Sequence, residues 1–237
     1  MDSSKPIAVI TGASTGIGEQ ISLKLSHENF HVVLISRSKN KLLKVKKKIE
    51  NSGNQCQIIV ADISKLDLVS HIKDQIKFPE NVEVLVNNAG VGFFSKFEDI
   101  TIKDWEQQIN TNLRGSFLMT QFFVPHMIHN KSGKILFINS VAGLSPYPFA
   151  SAYVASKYAL RGLSSSLREE LRKHNIKVIS VHPGAVDTPL WDKSESNFPR
   201  EEMLPSKDVA EMIVQAILAP NNLVCEEIII RRTAGDF

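Results

Sequence analysis

The chain of 237 residues has only two cysteines, two tryptophans and three tyrosines, and its 28 basic residues barely outnumber its 25 acidic ones. Cys56 and Cys225 stand far apart in apolar runs, which predicts buried thiols in a reducing compartment rather than a disulfide. The net charge of +3 gives no support to nucleic acid as a partner. No apolar run approaches the ~20 residues of a membrane helix, and no secretory leader precedes the first strand-like run. These absences predict a cytoplasmic protein with no nucleic-acid partner, no membrane partner and no metal.

Short β-branched runs alternate with longer segments of helical period along the whole chain. This alternation is typical of an α/β protein, and we expect one domain over residues 1–237 with a seven-stranded parallel sheet and helices on both faces. The predicted strands are Ile7–Ile10, Val32–Ser36, Gln57–Ala61, Val84–Asn87, Lys134–Asn139, Lys177–Val181 and Glu227–Arg231. The predicted helices cover residues 16–29, 38–51, 65–77, 103–130, 152–174 and 206–219, and Pro125 should bend or break the fourth.

Two segments depart from this pattern. From Pro183 to Pro205 the chain carries four prolines and many polar residues. A stretch of that length without regular structure predicts a substrate-binding loop at about 184–205. The second segment is a dense basic run, which we interpret as a solvated helix face. Its members are Lys39, Lys41, Lys44, Lys46, Lys47 and Lys48.

A glycine-rich turn follows the first predicted strand. Gly12, Gly16 and Gly18 stand between that strand and the next helix, at a spacing that differs from the common Gly-x-Gly-x-x-Gly fingerprint. Glycines at such a turn let the backbone approach a pyrophosphate, and the free N–H groups of the helix attract its charge. The turn therefore predicts a dinucleotide at the carboxyl end of the first strand.

The end of the second predicted strand indicates which dinucleotide binds. A ribose 2′-hydroxyl calls for a carboxylate at this place, whereas a 2′-phosphate calls for a cation. The chain has no acid here and instead carries Ser36, Arg37 and Ser38, whose guanidinium and hydroxyls suit a phosphate. We therefore predict NADP(H). Asp62, after the third strand, either accepts a hydrogen bond from the adenine amino group or caps the following helix.

Tyr153 and Lys157 lie four residues apart in a helical stretch and therefore share one face of it. Reduction of a carbonyl needs a proton donor at the oxygen, and a phenol of pKa ~10 would require roughly 4 kcal/mol to become an acid–base group near neutrality. One ammonium at ~4 Å supplies about that much, so we expect Lys157 to lower the phenol pKa. Ser140, at the end of the fifth strand, either binds the substrate oxygen or caps a turn.

Taken together, these motifs resemble those of the short-chain dehydrogenase/reductase family over nearly the whole chain, and the glycine spacing noted above is normal there. The resemblance implies a single-domain Rossmann fold. It also implies that Asn112 holds a water that relays protons through Lys157, and it favours the adenine contact for Asp62. The motifs that carry it are Thr11–Gly18, Asn87–Gly90, Asn112, Ser140, the Tyr153/Lys157 pair, and Pro183–Gly184 leading to Thr188.

Within this resemblance, the catalytic residues are Asn112, Ser140, Tyr153 and Lys157. A basic residue at Arg37 goes with NADP(H), although Thr15 stands where another NADP(H)-binding branch has a second cation. The implied cofactor-binding residues are Gly12, Ser14, Thr15, Gly16, Ile17, Gly18, Ser36, Arg37, Asp62, Ile63, Asn88, Ala89, Gly90, Tyr153, Lys157, Pro183, Gly184, Val186 and Thr188.

The substrate is less well defined by the sequence. The predicted substrate contacts are Phe94, Leu144, Phe149 and Trp191, which suit an apolar or aromatic carbonyl compound. The chain is similar both to bacterial sepiapterin-reductase-like members and to 3-oxoacyl-carrier-protein reductases. Arg168, Arg172 and Lys173 form either a basic rim for an acidic carrier or a solvated helix face. The family also implies a homodimer or homotetramer.

Two classes of function remain open at this stage. The first is an NADPH-dependent oxidoreductase that reduces a ketone to an alcohol, with Tyr153 as general acid. The second is a non-catalytic NADP-binding sensor that keeps the pocket without turnover. All four chemical positions are filled, which favours the enzyme.

Overall fold

In the computed structural model, the structure describes residues 5–65, 71, 72, 74–193 and 199–235. The strands are β1 (Ile7–Thr11), β2 (His31–Ser36), β3 (Cys56–Val60), β4 (Val82–Asn87), β5 (Gly133–Ile138), β6 (Ile176–Pro183), β7 (Val186–Asp187), β8 (Leu204–Pro205) and β9 (Glu227–Ile230). Seven of them form one parallel sheet in the order β3-β2-β1-β4-β5-β6-β9, and β7 pairs with β8 separately. The predicted seven-stranded sheet is confirmed.

The inner strands of this sheet are apolar on both faces because helices cover both. All residues of β1 and β5 are buried, as expected for strands without a solvated side. The parallel register pairs Val9 with Val33 on one side and with Leu85 on the other. Branched side chains stack well on a pleated surface, so the strand sequences themselves favour this layer.

Six helices are described: α1 (Gly16–His27), α2 (Lys39–Asn51), α3 (Ile102–Gln108), α4 (Gly115–Asn130), α5 (Ser151–Leu171) and α6 (Ser206–Leu218). On one face of the sheet, α1, α2 and α6 contribute Ile21, Leu42 and Ile213 to a core cluster. On the other face, α4 and α5 contribute Phe123 and Leu160 to a second cluster. Each such fully buried side chain contributes about 1.5–3 kcal/mol to stability.

The predicted helices at 65–77 and 103–130 differ from the structure. Residues 71, 72, 74 and 75 are helical, whereas 66–70 and 73 lie outside the described residues. The predicted helix 103–130 consists of α3, a π-helical turn over Ile109–Arg114, and α4. Pro125 does not break α4. The carbonyl that its missing N–H leaves unpaired belongs to Gln121, an exposed residue, so water can satisfy it.

Two predictions from composition can be compared with the structure. The prediction of buried thiols is wrong, because Cys56 is half-buried at the sheet edge and Cys225 is exposed just before β9. Among the described helices, none combines the length and the apolar character needed to cross a bilayer.

The topology also fixes where a ligand can bind. Strand order reverses between β1 and β4, which are neighbours in the sheet although β2 and β3 intervene in the chain. Connections from these two strands leave toward opposite faces, and a crevice therefore opens at their carboxyl ends. Thr11 and Asn87 end these strands.

Candidate active site

The turn from β1 to α1 forms one wall of a large cavity. Gly12 and Gly16 have φ of +64° and +59°, which side chains rarely adopt, and a Cβ on Gly12 would lie 2.8 Å from Cα of Ala89. Thr15 precedes α1 but its side chain does not cap the helix. The first N–H groups of α1 therefore lack a side-chain acceptor. They lie at the β1–α1 turn, the glycine cradle, where the backbone conformation at Gly12 and Gly16 favours glycine.

Asn88 fixes this turn to the end of β4. Its Nδ2 donates to the carbonyl oxygens of Thr11 at 2.9 Å and Gly12 at 3.2 Å. A Cβ on Gly18 would collide with the same Nδ2, and Gly18 does not line the cavity. This glycine is required for close packing of α1 beneath the turn, and its contact with the cofactor stays a prediction.

Beyond β2, the cavity ends among charged and hydroxyl side chains. Oγ of Ser14 and Oγ of Ser36 are 2.8 Å apart. Arg37 is 57% exposed and lies 3.9 Å from the Asp62 carboxylate. Ser38 also lines this end, and its Oγ accepts from Lys41 N and caps α2, which leaves the hydroxyl proton available to a phosphate.

Asp62 forms a local turn and lines the cavity, while its contact with adenine and its capping of the following helix stay predictions. Its Oδ1 accepts hydrogen bonds from N and Oγ of Ser64, at 3.0 and 2.7 Å, in a local turn. Asp62 and Ile63 also line the cavity, so the carboxylate faces both the chain and the ligand space. Lys41 lines the same end. Its position three residues into α2, close in the chain to Arg37, was the available signal, and the interpretation of the whole basic run as solvated surface missed it.

The catalytic candidates meet at the other end of the cavity. Tyr153 and Lys157, on α5, are 9% and 5% exposed. The amine of Lys157 donates to the Ile138 carbonyl at 2.9 Å and lies 5.6 Å from the centre of the Tyr153 ring. Ser140, just after β5, hydrogen-bonds the Tyr153 side chain. The structure thus brings three of the four predicted catalytic side chains into one contact group.

Burial sets the acid–base properties of this group. Burial raises the pKa of Tyr153 to about 12, and the hydrogen bond with Ser140 opposes that rise. Burial also lowers the pKa of Lys157 to about 8. The ammonium of Lys157 lies over the ring and donates to Ile138, and the predicted lowering of the phenol pKa by Lys157 stays a prediction for the complex with cofactor. With a pKa of about 12, the phenol of the protein alone stays protonated at neutral pH.

Asn112 lies in the π-helical turn and is 1% exposed. Its Oδ1 accepts from Val91 N at 2.8 Å, and its Nδ2 donates to Val91 O at 2.9 Å and to Ser156 Oγ at 3.0 Å. Asn112 does not line the cavity. The polar atoms of its side chain are occupied in holding the loop after β4 against α5, and the water that Asn112 is expected to hold stays a prediction.

Aromatic rings form the cavity wall beside Tyr153. Phe94 meets Tyr153 edge to face at 5.6 Å and stacks on Trp191 at 5.6 Å with only 8° between the planes. Nε1 of Trp191 donates to Val186 O at 3.0 Å, which fixes the indole. Phe149 lines the rim and is 63% exposed. Leu144, by contrast, is absent from the lining, and its contact with the substrate stays a prediction.

The segment from 184 to 205 is more ordered than predicted where it is described. Gly184, Val186 and Thr188 line the cavity, as does Pro183. The paired strands β7 and β8 tie the start of the segment to its end, helped by Leu204 N donating to Ala185 O at 2.9 Å. Residues 194–198, in the predicted loop, lie outside the described residues. Arg232 and Gln107 also line the cavity, and no sequence motif had pointed to them.

The whole cavity measures about 920 Å³ and runs from Arg37 to Trp191 across the carboxyl ends of the strands. This volume lies at the upper end of the usual range for small-molecule sites. Its parts fit a dinucleotide phosphate with a substrate beside it: glycine cradle at the centre, cations at one end, phenol and ammonium at the other. All the predicted cofactor contacts except Gly18 line it.

Comparison with known proteins agrees with this geometry. The chain is 39% identical to a sepiapterin reductase of Chlorobaculum tepidum, over 98% of each protein. Among solved structures, it is similar to a metagenomic short-chain oxidoreductase in complex with NADP (TM-score 0.84, 32% identity, 96% of this chain and 97% of the other). It is also similar to an alcohol dehydrogenase of the archaeon Thermococcus sibiricus complexed with 5-hydroxy-NADP (TM-score 0.88, 28% identity, 96% and 97%).

A family model described as short chain dehydrogenase matches residues 6–198. That range contains the glycine cradle, the cation end and the Ser140, Tyr153 and Lys157 group, so the match covers every part of the cavity except the last lining residue. Together with a relative at 39% identity over almost the full length, it establishes what the motifs and the sheet topology had indicated: the chain belongs to the short-chain dehydrogenase family of oxidoreductases.

Proposed function

We propose that this protein is an NADPH-dependent carbonyl reductase that converts a ketone to an alcohol. The observation that carries the proposal is the contact group at one end of the cavity: the Tyr153 phenol, hydrogen-bonded by Ser140 and overlaid by the buried ammonium of Lys157. A non-catalytic NADP sensor would need the cation end and the glycine cradle but not this group. The relatives solved with NADP or its derivative support NADP(H) as the cofactor.

The proposed reaction divides its work among the residues of this group. When bound, NADPH supplies the hydride that is added to the carbonyl carbon. Tyr153, whose pKa of about 12 keeps the phenol protonated at neutral pH, donates its proton to the carbonyl oxygen as negative charge develops there. Ser140 donates a hydrogen bond to the same oxygen. Lys157 stabilises the phenolate that remains, since its pKa of about 8 leaves it mostly charged at pH 7.

The cavity walls favour a planar substrate. Phe94 and Trp191 present a rigid aromatic surface next to the Tyr153 ring, and planar rings stack well on such a surface. The sepiapterin reductase relative points the same way. We therefore propose a pterin-type ketone as the first substrate class to test.

The alternative of a 3-oxoacyl-carrier-protein reductase has less support. An acidic carrier would need free cations, but Arg168 is 8% exposed and donates to the carbonyls of Val178 and Glu226. Arg172 pairs with Glu169 and Glu226. Both interpretations of this basic group from sequence were therefore incomplete, because two of its three members are engaged within the protein.

The experiment that tests the reaction is a pair of tyrosine variants on the same helix. Tyr153→Phe should lower the rate of NADPH oxidation with a ketone by about 100-fold or more, since a positioned acid contributes that much, while the Kd for NADPH stays within about twofold of wild type. Tyr158→Phe is the matched control, because Tyr158 is 43% exposed and is not a lining residue. Substantial turnover by Tyr153→Phe would contradict the acid role.

The substrate class is tested by a panel of pterins, diketones and 3-oxoacyl thioesters, followed by NADPH absorbance. We expect the highest kcat/KM with a pterin-type ketone, and Trp191→Ala should raise KM for that substrate more than for an aliphatic diketone. Equal changes of KM for the pterin-type ketone and the diketone would contradict the proposal that the substrate stacks on Trp191. If no compound is reduced although NADPH binds, the sensor becomes the better account.

We further propose that the protein acts in the cytoplasm as a homodimer or homotetramer. Exposed apolar side chains on neighbouring helices are consistent with assembly: Ile102 and Trp105 on α3 are 74% and 40% exposed, and Phe117 on α4 is 43% exposed. Size-exclusion chromatography with light scattering measures the state, and a monomer at micromolar concentration would contradict it.

A further inference from the structure

A completely buried histidine lies directly behind the catalytic group and has no role in the reaction described above. His182, on β6 just before Pro183, is 0% exposed. Its Nδ1 is 3.2 Å from the backbone oxygen of Ser140. Because a carbonyl oxygen only accepts hydrogen bonds, the geometry assigns the proton of the neutral ring to Nδ1.

The other ring nitrogen explains why this tautomer persists. Nε2 has no hydrogen-bond partner among the described residues and lies 3.8 Å from the Glu227 carboxylate. That carboxylate is bound by Arg161 through two hydrogen bonds of 3.0 and 3.1 Å. With its charge matched by the guanidinium, Glu227 has little capacity to draw a proton onto His182. Burial acts in the same direction and lowers the pKa of the imidazole.

His182 contacts Ser140, whose hydroxyl must be aligned with the substrate oxygen in the proposed reaction. Ser140 leaves β5 and begins the short turn Val141–Gly143, where its Oγ accepts from Ala142 N at 3.1 Å and its backbone oxygen accepts from Gly143 N at 2.9 Å. These contacts are all local to the turn. The preceding residue, Asn139, donates from its N to Val181 O of β6 at 2.8 Å, and the Nδ1 of His182 extends this attachment to the Ser140 carbonyl, which helps to set where the turn sits relative to Tyr153.

We propose that His182 is a positioning residue for carbonyl reduction: its Nδ1–H anchors the Ser140 main chain, so that the Ser140 hydroxyl stays aligned with Tyr153 and the substrate oxygen. This inference rests on the proposed function. It assigns the second nitrogen no catalytic part, and it gives the Arg161–Glu227 pair the task of keeping the imidazole neutral.

Two substitutions that differ only in where they place a donor test the proposal. In His182→Asn the side-chain amide reaches the position of Nδ1, whereas in His182→Gln it extends toward the position of Nε2. We expect His182→Gln to lower kcat about tenfold, the loss of one hydrogen bond's worth of alignment, with the Kd for NADPH within about twofold of wild type. His182→Asn should keep at least half of the wild-type kcat.

His31→Gln is the matched control, because His31 is also buried on a strand and its Nε2 also lacks a partner among the described residues, but it begins β2, which is separated from β6 by three strands of the sheet. It should leave kcat unchanged. Equal kcat for His182→Asn and His182→Gln, whether both high or both low, would overturn the proposal.

A second measurement does not depend on turnover. Amide hydrogen exchange over Val141–Gly143 should be faster in His182→Gln than in His182→Asn and wild type, because the Ser140 carbonyl loses its hydrogen bond to β6. Unchanged exchange would overturn the anchoring role. If the wild-type protein binds NADPH but reduces no carbonyl, the proposed function fails, while the exchange comparison still decides whether His182 anchors the turn.

Discussion

The two ends of the cavity use the same type of residue in opposite environments. Lys157 is 5% exposed, bound to a backbone carbonyl, and its pKa is lowered to about 8 by burial. Lys41, at the other end, is exposed at the start of α2. A buried charge acts strongly on a neighbouring group, whereas an exposed charge is screened by water and salt. The comparison indicates that catalysis depends on the buried end and that cofactor choice depends on several weaker contributions at the exposed end.

The largest expected effect is at the buried end. Lys157→Met should lower kcat by about 100-fold or more, because the phenolate left after proton donation loses its nearest cation. The measurement is NADPH oxidation at saturating substrate. Lys134→Met is the control, since Lys134 is also 9% exposed but pairs with Glu83 at the amino end of β5, far from the cavity. A similar loss of kcat in both variants would mean that removing any buried lysine impairs the enzyme, and it would contradict a specific role for Lys157.

The pH dependence of stability sharpens the same contrast. Folding lowers the pKa of Lys157 from 10.5 to about 8, so its buried charge destabilises the folded state below pH 8, and this cost is relieved as pH rises. The free energy of unfolding of wild type relative to Lys157→Met should increase by up to about 1.4 kcal/mol per pH unit between pH 8 and 10. Above pH 10 the raised pKa of Tyr153 acts in both proteins and cancels. Urea titrations at several pH values measure the difference, and a constant difference would contradict the shift.

At the exposed end, Arg37→Ser should reduce the preference for NADPH over NADH by about tenfold or more. A guanidinium facing a phosphate contributes roughly 1.5–3 kcal/mol when the hydrogen bonds form, and exposure of 57% places this one at the lower end. Fluorescence titration with both cofactors gives the ratio of Kd values. An unchanged ratio would show that Arg37 is a surface residue paired with Asp62 only.

The smallest expected effect is that of Lys41. Arg37 and Asp62 carry opposite charges 3.9 Å apart, so their sum is close to zero, and Lys41 supplies the net positive charge that a 2′-phosphate requires. Lys41→Gln should weaken NADPH binding about threefold to fivefold and NADH binding little, with a difference that shrinks at high salt. Lys39→Gln removes the same charge from the same turn but not from the cavity lining. Equal effects of both variants on NADPH binding would show that Lys41 acts only as one charge among others at long range, and not through contact with the phosphate.

Sequence reasoning was accurate where a local pattern carries the chemistry. The glycine turn, the Arg37 segment and the Tyr153/Lys157 pair all line the cavity as predicted, because spacing along a helix or after a strand fixes which residues share a face or an edge. Contacts between distant segments, by contrast, could not be predicted from such patterns. Gly18 packs against Asn88, the side chain of Asn112 hydrogen-bonds Val91, and Leu144 does not line the cavity.

The chain by itself determined the parallel sheet, the order of motifs and the identity of the reactive groups, since periodicity and turn residues act over a few positions. Only the tertiary structure decided how those groups behave. Burial, which depends on chain segments distant in sequence, raised the pKa of Tyr153 and lowered that of Lys157. The tertiary structure also brought His182 of β6 into contact with Ser140, which follows β5. These residues are 42 positions apart in the chain, and only the pairing of the two strands in the sheet brings them together.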